Sequence, residues 1–207
     1  MLTLAQLLGF LLAAVALTLA PGPDNLMVLG IGMSRGRRQG IAFGLGCAAG
    51  CLSHTLLAAL GVSALIAASP PAFRLLTWAG GLYLVWLGIQ ALRSRGAAAP
   101  ARASQDESPA RLFLRGMLAN AINPKVVLFF LSFLPQFVVP AQGQAGLQMA
   151  VLGLAFTLQA AVLFGLLGWF AGSIGRAMGR RPRMAGWLDR LAGAVFIALG
   201  LRLLVAR

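Results

Sequence analysis

Pro21-Gly22-Pro23-Asp24-Asn25 and Asn120-Ala121-Ile122-Asn123-Pro124-Lys125 decide how this chain folds, because each interrupts a long apolar run that has no other reason to stop. A proline inside a helix lacks the N–H of the ladder and clashes with the preceding turn, at a cost of roughly 3 kcal/mol. Two prolines around a glycine must open the backbone. In lipid the freed carbonyls need partners, so such a break persists only where it is buried in protein or lines a polar cavity. In both stretches an N-cap type precedes a proline suited to the first helical position, Gly22 before Pro23 and Asn123 before Pro124. Each stretch therefore ends one half-helix and starts another.

The surrounding sequence is that of a membrane protein. Of 207 residues, 59% are hydrophobic and 10% are charged, against roughly a quarter charged in soluble domains; the mean hydropathy is +0.87. A soluble enzyme, a disordered tail and a disulfide scaffold are excluded. The net charge of +13 does not form a nucleic-acid-binding face, because the arginines sit in short clusters between apolar runs. The start of the chain is apolar with no charge before Asp24. Residues 1–20 therefore read as the first helix rather than as a cleaved signal.

Six spans are expected, at 3–33, 40–67, 72–93, 112–138, 146–175 and 187–206, each at least as long as the roughly 20 mostly apolar residues a bilayer needs. The polar stretch Arg93–Pro109 divides the chain into two sets of three. The expected architecture is thus an all-α integral membrane protein, one domain over 1–207. Repeat 1 covers 1–93, a cytoplasmic linker 94–110, and repeat 2 covers 111–207. Basic residues (Arg35, Arg37, Arg38; Arg93, Arg95, Arg102, Arg111, Arg115; Arg176, Arg180, Arg181, Arg183, Arg190) gather in the odd-to-even loops. That distribution puts those loops in the cytoplasm and the termini outside, with Arg202 and Arg207 weighing against an outside C-terminus.

The two sets resemble one another. Gly81–Gly88 matches Gly193–Gly200, and Leu52, Leu57 and Leu60 fall opposite Leu158, Leu163 and Leu166. Three spans per copy force the second copy to be inverted, a common plan of secondary transporters. Helices 1 and 4 are then the broken ones, and their half-helix N-termini meet near the midplane, where free N–H groups suit a carboxylate.

The breaks carry opposite charges, Asp24 and the single lysine of the chain, Lys125. Intramembrane charge is costly and marks function by default. A fixed Asp24–Lys125 ion pair locking the halves together is one reading. A zwitterion site is the other, with Asp24 taking an amino group or a proton and Lys125 with the half-helix amides taking a carboxylate. Asn25, Asn120, Asn123, Thr157 and Gln159 are further candidate lining residues, Gln159 falling opposite Ser53. His54, the single histidine, reads either as a proton relay or as an interior histidine bonded to a neighbouring carbonyl. Cys47 and Cys51 lie too far from a full ligand set for a metal and too close along one helix for a disulfide, so they read as apolar packing. No cofactor and no resident metal are expected, and no nucleophile–histidine–acid set exists for a hydrolase. The pattern Gly40–Gly44 and Gly46–Gly50 serves helix packing or a homodimer face; Trp78, Trp169 and Trp187 suit interfacial anchoring.

The runs Leu19–Val28, Ser34–Gly40, Gly80–Gly88, Asn123–Phe130 and Phe133–Phe137 together resemble the lysine exporter (LysE/RhtB) family, nearest the homoserine/threonine (RhtB) branch. The resemblance covers essentially the whole chain. It implies a bacterial inner-membrane, multi-pass exporter of amino acids, driven by the proton gradient, with lipids, protons and the substrate as its partners. The family's helix breaks carry over to Pro21, Gly22, Pro23, Asp24, Asn123, Pro124 and Lys125. One acid and one base in an apolar cavity suit a neutral amino acid better than a basic one. The competing readings are a metal-cation exporter of the same superfamily and a membrane thiol–disulfide conduit.

Overall fold

The computed structural model describes residues 2–93, 107–180 and 182–205, and every described secondary-structure element is helical. Most of the expected linker, with Arg95, Pro100 and Arg102, lies outside the described residues, as do Arg181 and Arg207. The order is α1 (Leu4–Leu19), α2 (Pro23–Arg35), α3 (Arg37–Leu56), α4 (Ser63–Ala68), α5 (Pro70–Arg93), α6 (Pro109–Ala121), α7 (Pro124–Leu128), α8 (Ala145–Arg180) and α9 (Pro182–Val205). A wider π-type turn at Leu57–Val62 joins α3 to α4, and another at Phe129–Phe133 extends α7.

Both breaks fall where the prolines put them. α1 and α2 meet at 55°, and α6 and the α7 segment at 51°. Gly22 caps α2 through its backbone, with Pro23 in first position. Asn123 caps α7, its Oδ1 accepting from the Lys125 N–H at 3.0 Å. Among the described residues three helices, Arg37–Ile66, Pro70–Arg93 and Ala145–Ala177, are long and apolar enough to cross a membrane, and up to five spans result if each bent pair counts as one. α9 covers the sixth expected span but is not among these; Asp189, Arg190 and Arg202 lie along it.

Glycines set the packing. A Cβ on Gly81 would lie 3.0 Å from the Gly200 carbonyl oxygen, and one on Gly88 would lie 2.7 Å from that of Gly193. α5 and α9 therefore run antiparallel in close contact. α3 and α8 are likewise antiparallel, Gly40 against Gly168 and Thr55 against Gly153. α3 and α6 run the same way, Gly46 against Phe113 and Gly50 against Met117. Phe10, Phe129, Phe130, Phe133, Phe137 and Phe156 fill the centre with ring contacts between 4.9 and 6.5 Å. Leu52, Leu57, Leu60, Leu158 and Leu166 are exposed, so the leucines that align between the two sets lie mostly on the outer, apolar surface.

Candidate functional site

The site forms where the carbonyls freed by each helix break find their donors. In an intact α1 the Leu17 carbonyl would accept from residue 21, but Pro21 has no N–H. The Lys125 ammonium takes that place, donating to Leu17 O and to Ala20 O, each at 3.1 Å. The Thr18 carbonyl is taken by Asn25 Nδ2 at 2.8 Å. Across the molecule, Pro124 likewise deprives the Asn120 carbonyl of its helical donor. That carbonyl accepts from the Asn123 N–H at 2.9 Å and pairs with His54 Nε2 at 3.1 Å. A carbonyl only accepts, so Nε2 of His54 carries the hydrogen. Each broken helix end is thus capped by a side chain from the other half of the chain, Lys125 on α1 and His54 on α6.

Asp24 and Lys125 do not pair with each other. Asp24 Oδ2 accepts from Asn120 Nδ2 at 2.8 Å, and the carboxylate also sits in the first turn of α2, where the helix dipole favours it. The Cys51 thiol lies 3.4 Å from Asn120 Oδ1 as its donor. Asn120 therefore joins α2, α3 and α6 at one point. Lys125 is buried, with its ammonium 5.6 Å from the centre of the Phe196 ring. Gly22 permits this approach: a Cβ there would lie 2.8 Å from Nζ and push it off the carbonyls.

Between these groups lies a narrow cavity of about 240 Å³ including its mouth, lined by Leu17, Thr18, Asp24, Cys51, Asn120, Lys125, Val126, Phe156 and Phe164. Little of it is wide enough for a water molecule, so any larger ligand can enter only if the helices part. The buried atoms Asn25 Oδ1, His54 Nδ1, Asn123 Nδ2 and Gln159 Oε1 find no protein partner. Unsatisfied polar atoms are rare in folded proteins, and these four belong to residues at or against the breaks.

Asp24, Asn120 and Lys125 line the cavity, as do parts of both broken helices. Asn25 and Asn123 hold backbone at the breaks, and Gln159 reaches from α8 to the Thr18 hydroxyl at 2.9 Å. Ser53 is exposed and bonded to Gly50 O within its own helix, and Thr157 bonds likewise to Gly153 O; neither enters the cavity. Cys51, expected to pack as an apolar residue, is a cavity residue. Thr18, Phe156 and Phe164 were not legible as site residues, since nothing in their local sequence distinguishes them from ordinary helix interior.

A second charged cluster joins the arginine-rich ends of α2 and α6. Glu107 accepts from Arg35 Nη1 at 3.2 Å and from Arg115 Nη1 at 3.0 Å, and Arg37 stacks 4.4 Å above the Trp169 ring.

The amino-acid sequence has relatives among known proteins. A model of the LysE type translocators matches residues 15–207. An uncharacterised membrane protein of Vibrio cholerae is 35% identical over 201 residues, covering 97% of each chain. The homoserine/homoserine lactone efflux protein of Salmonella typhimurium is 32% identical, covering 96% of each. The threonine efflux protein of Escherichia coli is 31% identical, covering 91% of this chain and 92% of its own. No solved structure matches. The chain belongs to the LysE type translocator family and is a multi-pass membrane protein.

Proposed function

We propose that this LysE-type translocator exports a small neutral amino acid, of the homoserine or threonine kind, from the bacterial cytoplasm across the inner membrane in exchange for protons. The observation that carries this reading is the cavity between the two helix breaks. It offers one carboxylate, one ammonium and backbone carbonyls without helical donors, inside a wall of Leu17, Val126, Phe156 and Phe164. A free amino acid has both charges in one small body, and such a cavity meets each with its opposite. Relatives named for efflux of homoserine, homoserine lactone and threonine support the class. A lactone lacks a free carboxylate, so the ammonium is the charged group its named ligands share.

The transport geometry we propose is six spans in two inverted repeats, with α9 as the sixth. The near-equal bends of 55° and 51° support it, as do the contacts between α5 and α9. Gly81 meets Gly200 and Gly88 meets Gly193, a pairing that maps onto itself when the two repeats are exchanged. Rocking the broken helices about the cavity would expose it first to one side and then to the other. Asp24 would trade a proton for the substrate's ammonium as it does so. Among the described residues no three histidine, cysteine or acidic side chains are placed to hold a metal ion together, so nothing specific favours the metal-cation reading over this one.

The test is efflux. Cells producing the wild type or Asp24→Asn are fed mixed dipeptides, and the medium is followed by mass spectrometry. Faster appearance of one or a few neutral amino acids with the wild type alone is expected, and the rate should follow an imposed pH gradient. Equal amino-acid release with and without the protein refutes the assignment.

A further inference from the structure

We infer that Lys125 is a tethered stand-in for the substrate's ammonium: in the empty transporter its Nζ fills the seat formed by the Leu17 and Ala20 carbonyls, and it leaves that seat when substrate binds. The inference rests on the amino-acid export reading and says what in that site recognises the substrate.

Four observations converge on it. The seat exists because Pro21 has no N–H to give Leu17; it is a gap in a helix ladder rather than a designed lysine pocket. α1 has no basic residue in its own last turn, so the negative end of its dipole is met from outside the helix. The occupant donates to two carbonyls at 3.1 Å each, and the Phe196 ring lies 5.6 Å from Nζ, within cation–π range. Leu17 and Lys125 both line the cavity beside Asp24, so a vacated seat opens onto the space a ligand would enter, next to a carboxylate. An amino acid's α-ammonium has the same charge and the same three donors as Nζ, so it can replace Nζ without leaving the carbonyls unpaired in an apolar interior. The freed Lys125 is then available to the substrate's carboxylate.

This arrangement also accounts for gating. While Nζ bridges α7 to the end of α1, the two broken helices are fixed to each other. A substrate that displaces it exchanges a bond between repeats for one to a mobile ligand. The Asp24–Asn120 bond is the second tie between the broken helices at the site, and a substrate ammonium beside Asp24 competes for that carboxylate too, so occupancy loosens both.

The test uses the detergent-purified full chain and Lys125→Ala, which removes four heavy atoms that n-propylammonium reproduces. Thermal unfolding is read with n-propylammonium, tetramethylammonium and L-homoserine. Lys125→Ala should unfold at lower temperature than the wild type, and n-propylammonium should restore part of the loss while tetramethylammonium does not. In a parallel titration with L-homoserine lactone, which has the ammonium but no free carboxylate for Lys125 to hold, the concentration giving half-maximal stabilisation should fall by about tenfold in Lys125→Ala, because the internal competitor that occupies the seat most of the time is gone. If Lys125→Ala does not fold, Lys125→Gln serves: an amide is a weaker rival for the carbonyls, so the lactone should again bind more tightly than to the wild type. Weaker lactone binding in the variant, with no n-propylammonium rescue, overturns the inference and leaves amino-acid export standing. Rescue by n-propylammonium with no response to any amino acid upholds the seat and sinks the export reading.

Discussion

Asn120→Ala should destabilise the protein chiefly through what it does to Asp24. The Asp24 carboxylate is 3% exposed and accepts from Asn120 Nδ2 at 2.8 Å. A hydrogen bond to a charged group contributes about 1.5–3 kcal/mol, and one between neutral groups about 0.5–1.5 kcal/mol. Truncating Asn120 leaves a buried carboxylate without that donor, for an expected loss of about 2–3 kcal/mol, the weaker contact with the Cys51 thiol included. In an Asp24→Asn background the same truncation breaks only an amide–amide bond and should cost about 1 kcal/mol. The double-mutant cycle therefore predicts a coupling of about 1–2 kcal/mol between positions 24 and 120. Equilibrium unfolding of the wild type, both single variants and the double variant in one detergent provides the four numbers. A coupling below about 0.5 kcal/mol would mean the two sites act independently, and the account of Asn120 as the holder of the Asp24 carboxylate would be wrong.

Three further outcomes follow from the packing and the charges. Glu107→Gln should cost about 2 kcal/mol, because the Arg35 side chain it serves is only 7% exposed, whereas Arg115→Gln, at a side chain 40% exposed, should cost under about 1 kcal/mol; equal losses would show that burial of Arg35 does not matter. Gly88→Ala would press a Cβ to 2.7 Å from the Gly193 carbonyl and should cost about 1–3 kcal/mol, while Gly165→Ala meets open space in α8 and should gain up to about 1 kcal/mol; thermal unfolding of both reads the contrast. Cys47 and Cys51 are free thiols, and Cys51→Ser keeps a donor for Asn120 Oδ1, so the double serine variant should export as the wild type does. Lost export in a folded double variant would bring thiol chemistry back.

Composition alone settled that the chain belongs in a membrane, because apolar area is a sum over residues that needs no knowledge of their neighbours. The breaks were equally legible: a proline's missing N–H and fixed φ act on the turn immediately before it, so Pro21, Pro23 and Pro124 announce the ends of α1 and α6 wherever the helices later lie. The charged and amide side chains at those breaks, Asp24, Asn120 and Lys125, were found for the same local reason, and the family resemblance rides on the same motifs. What local rules leave open is who answers each freed carbonyl. Nothing near Leu17 in the chain says that Lys125, 108 residues away, will cap it, or that His54 will cap Asn120. Those pairings depend on which helices the glycines of α3, α5, α8 and α9 allow to touch. The same dependence turned Cys51 and Thr18 into cavity residues and left Ser53 outside, since a helix position gains its environment only when a second helix is laid against it. Sequence determined where the helices must break; the tertiary structure decided what heals each break, because a freed carbonyl finds its donor only when another helix is laid against it.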